Sequence, residues 1–78
     1  MEEIRDALSS SSITSLTGIN LRDSPAGFDS ESKCSAWAAV IKKQTGLQSL
    51  YLNDCNITGS NQAIIKQACP QRCNIYGF

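Results

Sequence analysis

The chain has 78 residues, seven basic and seven acidic side chains, no histidine, and an apolar share of 41%. That length makes one small domain. The composition is too apolar for a disordered segment, and its charge is too balanced for a nucleic-acid binder or a polybasic membrane anchor. No apolar run approaches the ~20 residues that a membrane span requires.

Helical spacing comes first, over residues 2–9, where Ile4, Ala7 and Leu8 share one face. A strand-like run follows at residues 16–21, with Ile19 and Leu21 alternating at its end. The next connection is long and carries Pro25 and Gly27. A second helix is predicted over residues 31–44. Trp37, Val40 and Ile41 line one side, and Ala36, Ala38 and Ala39 favour the conformation. Asp29 or Ser30 can cap its start, Lys42 and Lys43 suit the dipole at its end, and Gly46 lies just beyond. Residues 47–52 form a second strand-like run. A third helix is predicted over residues 60–68, with Ile64, Ile65 and Ala68 as its apolar side, and Pro70 restricts Cys69 and closes it. Residues 73–78 make a last strand. Strands alternating with helices imply parallel pairing with helical crossovers, hence an α/β class.

The strands repeat. Leu16, Leu47 and Cys73 share a first position, Ile19, Leu50 and Tyr76 a fourth, and Leu21, Leu52 and Phe78 a sixth, at offsets of 31 (16 to 47) and 26 (47 to 73) residues. The helices keep pace, since Leu8, Val40 and Ile65 precede these first positions by eight, seven and eight residues. In this alignment Tyr76 and Phe78 face the core.

The central unit carries a resemblance. Leu47, Leu50, Leu52, Cys55 and Ile57 fall on the pattern L-x-x-L-x-L-x-x-(N or C)-x-L, which resembles a leucine-rich repeat. Cys55 with the following Ile57 and Thr58 is similar to the ribonuclease-inhibitor-like subclass, whose repeats run to about 28 residues. The first unit is degenerate, with Ser24 and Ala26 at the ninth and eleventh positions, and the third stops at Phe78. The resemblance implies a short solenoid in units of about 1–24, 25–55 and 56–78, with three parallel strands on the concave side and three helices on the convex side. It also implies that a small side chain at the ninth position meets backbone groups in the bend. The plainer alternative is a small βα fold with accidental spacing.

Little here points to catalysis. A cysteine or serine nucleophile needs a base beside it, and there is no histidine to serve. Gly18, Gly27, Gly46, Gly59 and Gly77 are isolated, so no phosphate loop forms. The four cysteines are spaced by 21, 14 and 4 residues, without the close pairs of a zinc site. Neither a metal nor a cofactor is expected, nor an enzyme. The acidic start of the chain is unlike a secretory signal, so the expected compartment is the reducing cytoplasm, with Cys34, Cys55, Cys69 and Cys73 as thiols. Cys69 and Cys73 could bridge in an oxidising setting, but Pro70 between them implies a bend, and buried structural thiols are the simpler expectation. Asn56-Ile57-Thr58 matches a glycosylation acceptor only by chance.

What remains is binding. Residues between the core positions point away from the core, and in the family resembled that face takes the ligand. Arg22, Tyr51 and Asn53 are the expected partner-binding residues, since an exposed Tyr or Arg often anchors an interface. A solvated face without a partner is the duller alternative. A solenoid also needs about three units before its core closes. The last strand is then an unfinished edge, which makes Tyr76 and Phe78 candidates for self-association or docking on another protein. A fragment of a longer repeat array would explain the same edge.

Overall fold

The computed structural model describes residues 2–77. Helix α1 spans Glu2–Ser10, strand β1 Gly18–Asn20, helix α2 Glu31–Lys42, strand β2 Ser49–Tyr51, helix α3 Gly59–Ala68 and strand β3 Asn74–Tyr76, with a single 3-10 turn at Pro25–Gly27 between β1 and α2. The strands form one parallel sheet in the order β1-β2-β3. The helices pack in the same sequence, α1 on α2 and α2 on α3. The α/β class with parallel strands and helical crossovers is therefore as the sequence implies.

Ile19 of β1 and Leu50 of β2 point into one core with Trp37, Val40 and Ile41 of α2 and Ile65 of α3. Phe28 joins it from the loop before α2, its ring 6.0 Å from that of Trp37. Trp37 is thus a core residue that ties helix to sheet, although its buried Nε1 finds no acceptor. Truncating a side chain as fully buried as Leu50 or Ile41 to alanine costs about 2–5 kcal/mol.

The termini of the helices differ a little from expectation. Ser30 caps α2, its hydroxyl accepting from the Lys33 amide at 3.3 Å, while Asp29 pairs with the Lys33 ammonium at 2.9 Å. The helix stops at Lys42 instead of reaching Gln44. Its last turn tightens, with the amides of Lys43 and Gln44 donating to Val40 and Ile41. The Gln44 side chain is thereby drawn inward and fully buried. Its amide accepts from the Leu16 N–H at 2.9 Å and donates to the Ile13 carbonyl at 2.8 Å. Lys43 does not serve its own helix. Its ammonium donates to the carbonyls of Leu8, Ser9 and Ser11, the open end of α1. Of the apolar face of α1, Leu8 packs against the core whereas Ile4 is 58% exposed.

The third strand corrects the repeat alignment. β1 and β2 pair at the expected offset, Ile19 opposite Leu50, but β2 and β3 pair one residue out, with Leu50 opposite Ile75 and Tyr51 opposite Tyr76. A one-residue slip exchanges the two faces of a strand. Ile75, not Tyr76, packs on the core, and Tyr76 stands on the outer face at 43% exposure. The connection from β2 to β3 is thus one residue shorter than the repeat spacing implied, and it ends in a turn in which the Cys73 N–H donates to the Pro70 carbonyl at 3.0 Å. Gly77 then occupies the sixth position, at φ +104, and a Cβ there would stand 2.6 Å from the Asn53 nitrogen. Phe78 lies outside the described residues.

Candidate functional site: the outer face of the sheet

Alternation places Asn20, Ser49, Tyr51, Asn74 and Tyr76 on the side of the sheet away from the helices. Arg22 and Asn53, just beyond β1 and β2, continue the same face. Tyr51 sits in the middle strand and is the centre of a stack. Its ring lies 4.8 Å from that of Tyr76, with the two planes 10° apart. The Arg22 guanidinium carbon lies 4.5 Å from the Tyr51 ring centroid. Because β1 and β3 flank β2 on opposite sides, Arg22 and Tyr76 cover opposite faces of the one ring.

The stack is held from its ends. The Arg22 Nε donates to the Asn53 amide oxygen at 3.3 Å, and the Arg22 backbone N–H donates to the Asn20 side chain at 3.1 Å. A guanidinium above a tyrosine at a surface site such as the half-buried Tyr51 contributes about 0.5–1 kcal/mol, and a stacked aromatic pair about 0.5–1.5 kcal/mol. The side chains are therefore ordered before any partner arrives, which reduces the entropy lost on docking. Chemically, the face offers an open tyrosine ring on the β3 side, two phenol hydroxyls, the remaining donors of Arg22 and a fringe of asparagines.

Four of the residues expected from sequence, Arg22, Tyr51, Asn53 and Tyr76, come together here. Tyr76 arrives by the corrected register, on the face and not in the core. Alternation already puts Asn20 on this face, but its role as an acceptor for the Arg22 amide belongs to a local turn that alternation alone does not reveal.

A shallow cleft of about 460 Å3 lies elsewhere, between the 45–48 loop and the 70–72 turn, at the ends where β2 and β3 begin. Arg72 is the charged side chain in its lining. The cleft is open and lined by Thr45, Gln48, Gln71 and Arg72 with Leu47 and Pro70, and it holds none of the residues expected from sequence to bind a partner.

The thiols fall into two kinds. Cys34 and Cys55 are fully buried and donate to backbone carbonyls, Cys34 to Phe28 at 3.6 Å and Cys55 to Leu21 at 2.9 Å. Burial raises both thiol pKa values, with nearby Asp29 adding to the effect at Cys34. Cys69 and Cys73 are only partly buried; burial raises both thiols, and the Cys73 thiol donates to the Asn74 carbonyl at 3.7 Å. Among the described residues no group of three or more His, Cys, Asp or Glu side chains is placed to hold a metal ion. Also among them, no helix is long and apolar enough to cross a membrane.

Comparisons with protein-family models, with curated proteins and with solved structures find no match to this chain.

Proposed function

We propose that the chain is a short solenoid of the leucine-rich-repeat kind and acts as a protein-binding module through the outer face of its sheet. The Arg22–Tyr51–Tyr76 stack carries this reading, because it fixes an exposed ring and a cation on a rigid sheet with no packing role toward the core. The repeat reading draws support from the strand exits. Asp23 and Asp54, at equivalent positions 31 residues apart, both take left-handed backbone, with φ of 59° and 61°. Cys55 reaches back across that bend to the Leu21 carbonyl of the preceding unit. Four unbridged thiols fit a reducing, cytoplasmic setting.

The test is affinity capture with the wild-type chain, a Tyr51→Ser/Tyr76→Ser variant, and an Ile4→Ser control on the exposed side of α1. A protein held by wild type and control but lost by the face variant supports the reading. Identical capture by all three, with the folds verified by circular dichroism, overturns it.

A second reading has its own observation. The Asn74 amide and the Tyr76 carbonyl both bond to β2, so the backbone groups of Ile75 point outward along an edge that no described strand pairs. Such an edge admits a second copy of the chain or another strand. Sedimentation from low to high micromolar concentration tests this. Association that persists in Tyr51→Ser but fails in Tyr76→Lys/Phe78→Lys assigns it to the edge, and a monomer throughout rejects it.

A further inference from the structure

Among the described residues the sheet has two open edges, β1 on one side and β3 on the other. Their backbone groups match. In β1 the Thr17 carbonyl and the Leu21 amide bond to β2, so the groups of Gly18 and Asn20 turn outward. In β3 the outward groups are those of Ile75. Parallel pairing needs this arrangement, in which one residue bonds to the two that flank its opposite number. Ile75 set opposite Ile19 of a second copy donates to the Gly18 carbonyl of that copy and accepts from its Asn20 amide. The chain already uses this register twice, with Ile19 opposite Leu50 and Leu50 opposite Ile75. A second copy would therefore extend the sheet by the step that relates the strands within one chain.

The outer face supplies an independent match. Arg22, Tyr51 and Tyr76 run across the strands as cation, ring and ring, at intervals of 4.5 and 4.8 Å. Both intervals are close to one strand spacing, about 4.8 Å. The free face of Tyr76 looks toward the place of a fourth strand. A β1 strand seated there sets its Arg22 one interval beyond Tyr76, between that ring and the Tyr51 of its own chain. The guanidinium then has a ring on each face. Charge agrees with this direction. Helix α1, Glu2–Ser10, carries three acidic side chains and one basic, whereas residues 55–77 carry two basic and no acidic ones. Because the helices pack in chain order, the same step lays α1 of the second copy beside α3.

We propose that the chain assembles head to tail with copies of itself, β1 of one on β3 of the next, with Arg22 filling the open face of Tyr76. This rests on the edge reading of β3 and adds the occupant, its direction and its register. The interface is heterologous, so a dimer still offers one free β1 and one free β3, and growth continues. Two β3 strands pairing about a twofold axis would close at the dimer and bring two basic ends together.

Sedimentation of the full chain across the micromolar range tests this, with one variant blocked at each edge. Gly18→Pro removes an outward amide at an edge position that tolerates proline, and Tyr76→Lys sets an ammonium against the incoming Arg22. Wild type is expected to pass from monomer through dimer to larger species, while each variant alone stays monomeric. Their equimolar mixture is expected to reach twice the monomer mass and stop there, since one variant keeps an intact β3 and the other an intact β1. Asn20→Pro repeats the β1 block at the other outward amide if circular dichroism shows Gly18→Pro to be unfolded. A dimer of the β1-blocked variant alone overturns the head-to-tail arrangement and leaves the edge reading standing. A mixture that stays monomeric while wild type associates also overturns it. Wild type that is monomeric throughout overturns both.

Discussion

Replacing Tyr51 and Tyr76 by alanine, singly and together, tests both the register of β3 and the integrity of the outer face. The two residues are direct cross-strand partners, and their rings sit 4.8 Å apart and nearly parallel. Pairs at this separation couple by about 0.5–1.5 kcal/mol beyond the surface each ring buries. Urea unfolding of wild type, both single variants and the double variant isolates that term, because losses common to each substitution cancel in the cycle. A coupling of about 1 kcal/mol is the expected value. In the register that the sequence spacing alone implies, Tyr76 would instead face the core opposite Leu50. Tyr76→Ala would then cost about 3–5 kcal/mol as a core truncation and show no coupling to Tyr51. Additive single-variant losses, with coupling below about 0.3 kcal/mol, would refute the stack and the register together.

Gly77→Ala is expected to destabilise the chain by about 2 kcal/mol or more in the same assay, since the left-handed region and contact with the backbone at Leu52 and Asn53 both penalise a Cβ. Lys43→Met removes the ammonium that serves three carbonyls at the end of α1, and the helical circular dichroism of α1 should fray at a temperature where α2 and α3 stay folded. The thiols give a pH dependence of definite sign. The folded Cys69 thiol titrates at about 12 against 9.0 for the free group, so above pH 9 the unfolded chain binds fewer protons than the native one. Stability therefore stays level below pH 9 and falls as pH rises toward 12, less steeply in Cys69→Ser; a profile equally steep in both proteins would contradict it.

Local chemistry made much of the fold legible in advance. Helix α2 followed from its alanines, its apolar stripe and the Ser30 cap, and β1 and β2 followed from leucine and isoleucine at matched spacing. What failed depended on interactions with no local signature. The end of α2 moved because Gln44 finds two backbone partners in the 13–16 segment, about thirty residues away in sequence. The shared face of Ile4, Ala7 and Leu8 was legible, but only Leu8 of it packs on the core, while the Lys43 ammonium that meets the end of α1 has no local signature. The third strand was misaligned because Cys73 and Tyr76 fit the repeat spacing as apolar residues. The competing register, with Ile75 inward and Gly77 at the tight sixth position, becomes evident only when the turn after Pro70 is known. For the site, Arg22, Tyr51 and Asn53 were legible from alternation. The stack that joins them to Tyr76 was not, because it depends on that same register.

The distribution of contacts bears on where this small molecule opens first. β2 is bonded on both sides, and α2 lies between α1 and α3, so Leu50, Trp37 and Ile41 are covered from every direction. β3 has one bonded side and its inward Ile75 is only partly buried, while α1 touches the rest of the chain through Leu8, its packing on α2 and the Lys43 ammonium. Local opening follows coverage of this kind. Amide exchange should therefore be slowest at Leu50 and Leu52, faster in β3 and fastest in α1. The outer face straddles that gradient, with Tyr51 on the slowest strand and Tyr76 on a faster one. A partner that grips both rings would slow exchange at Tyr76 and its neighbours far more than at Leu50. If binding protected β2 and left β3 unchanged, the partner would be seated on Arg22 and Tyr51 without using the open ring of Tyr76.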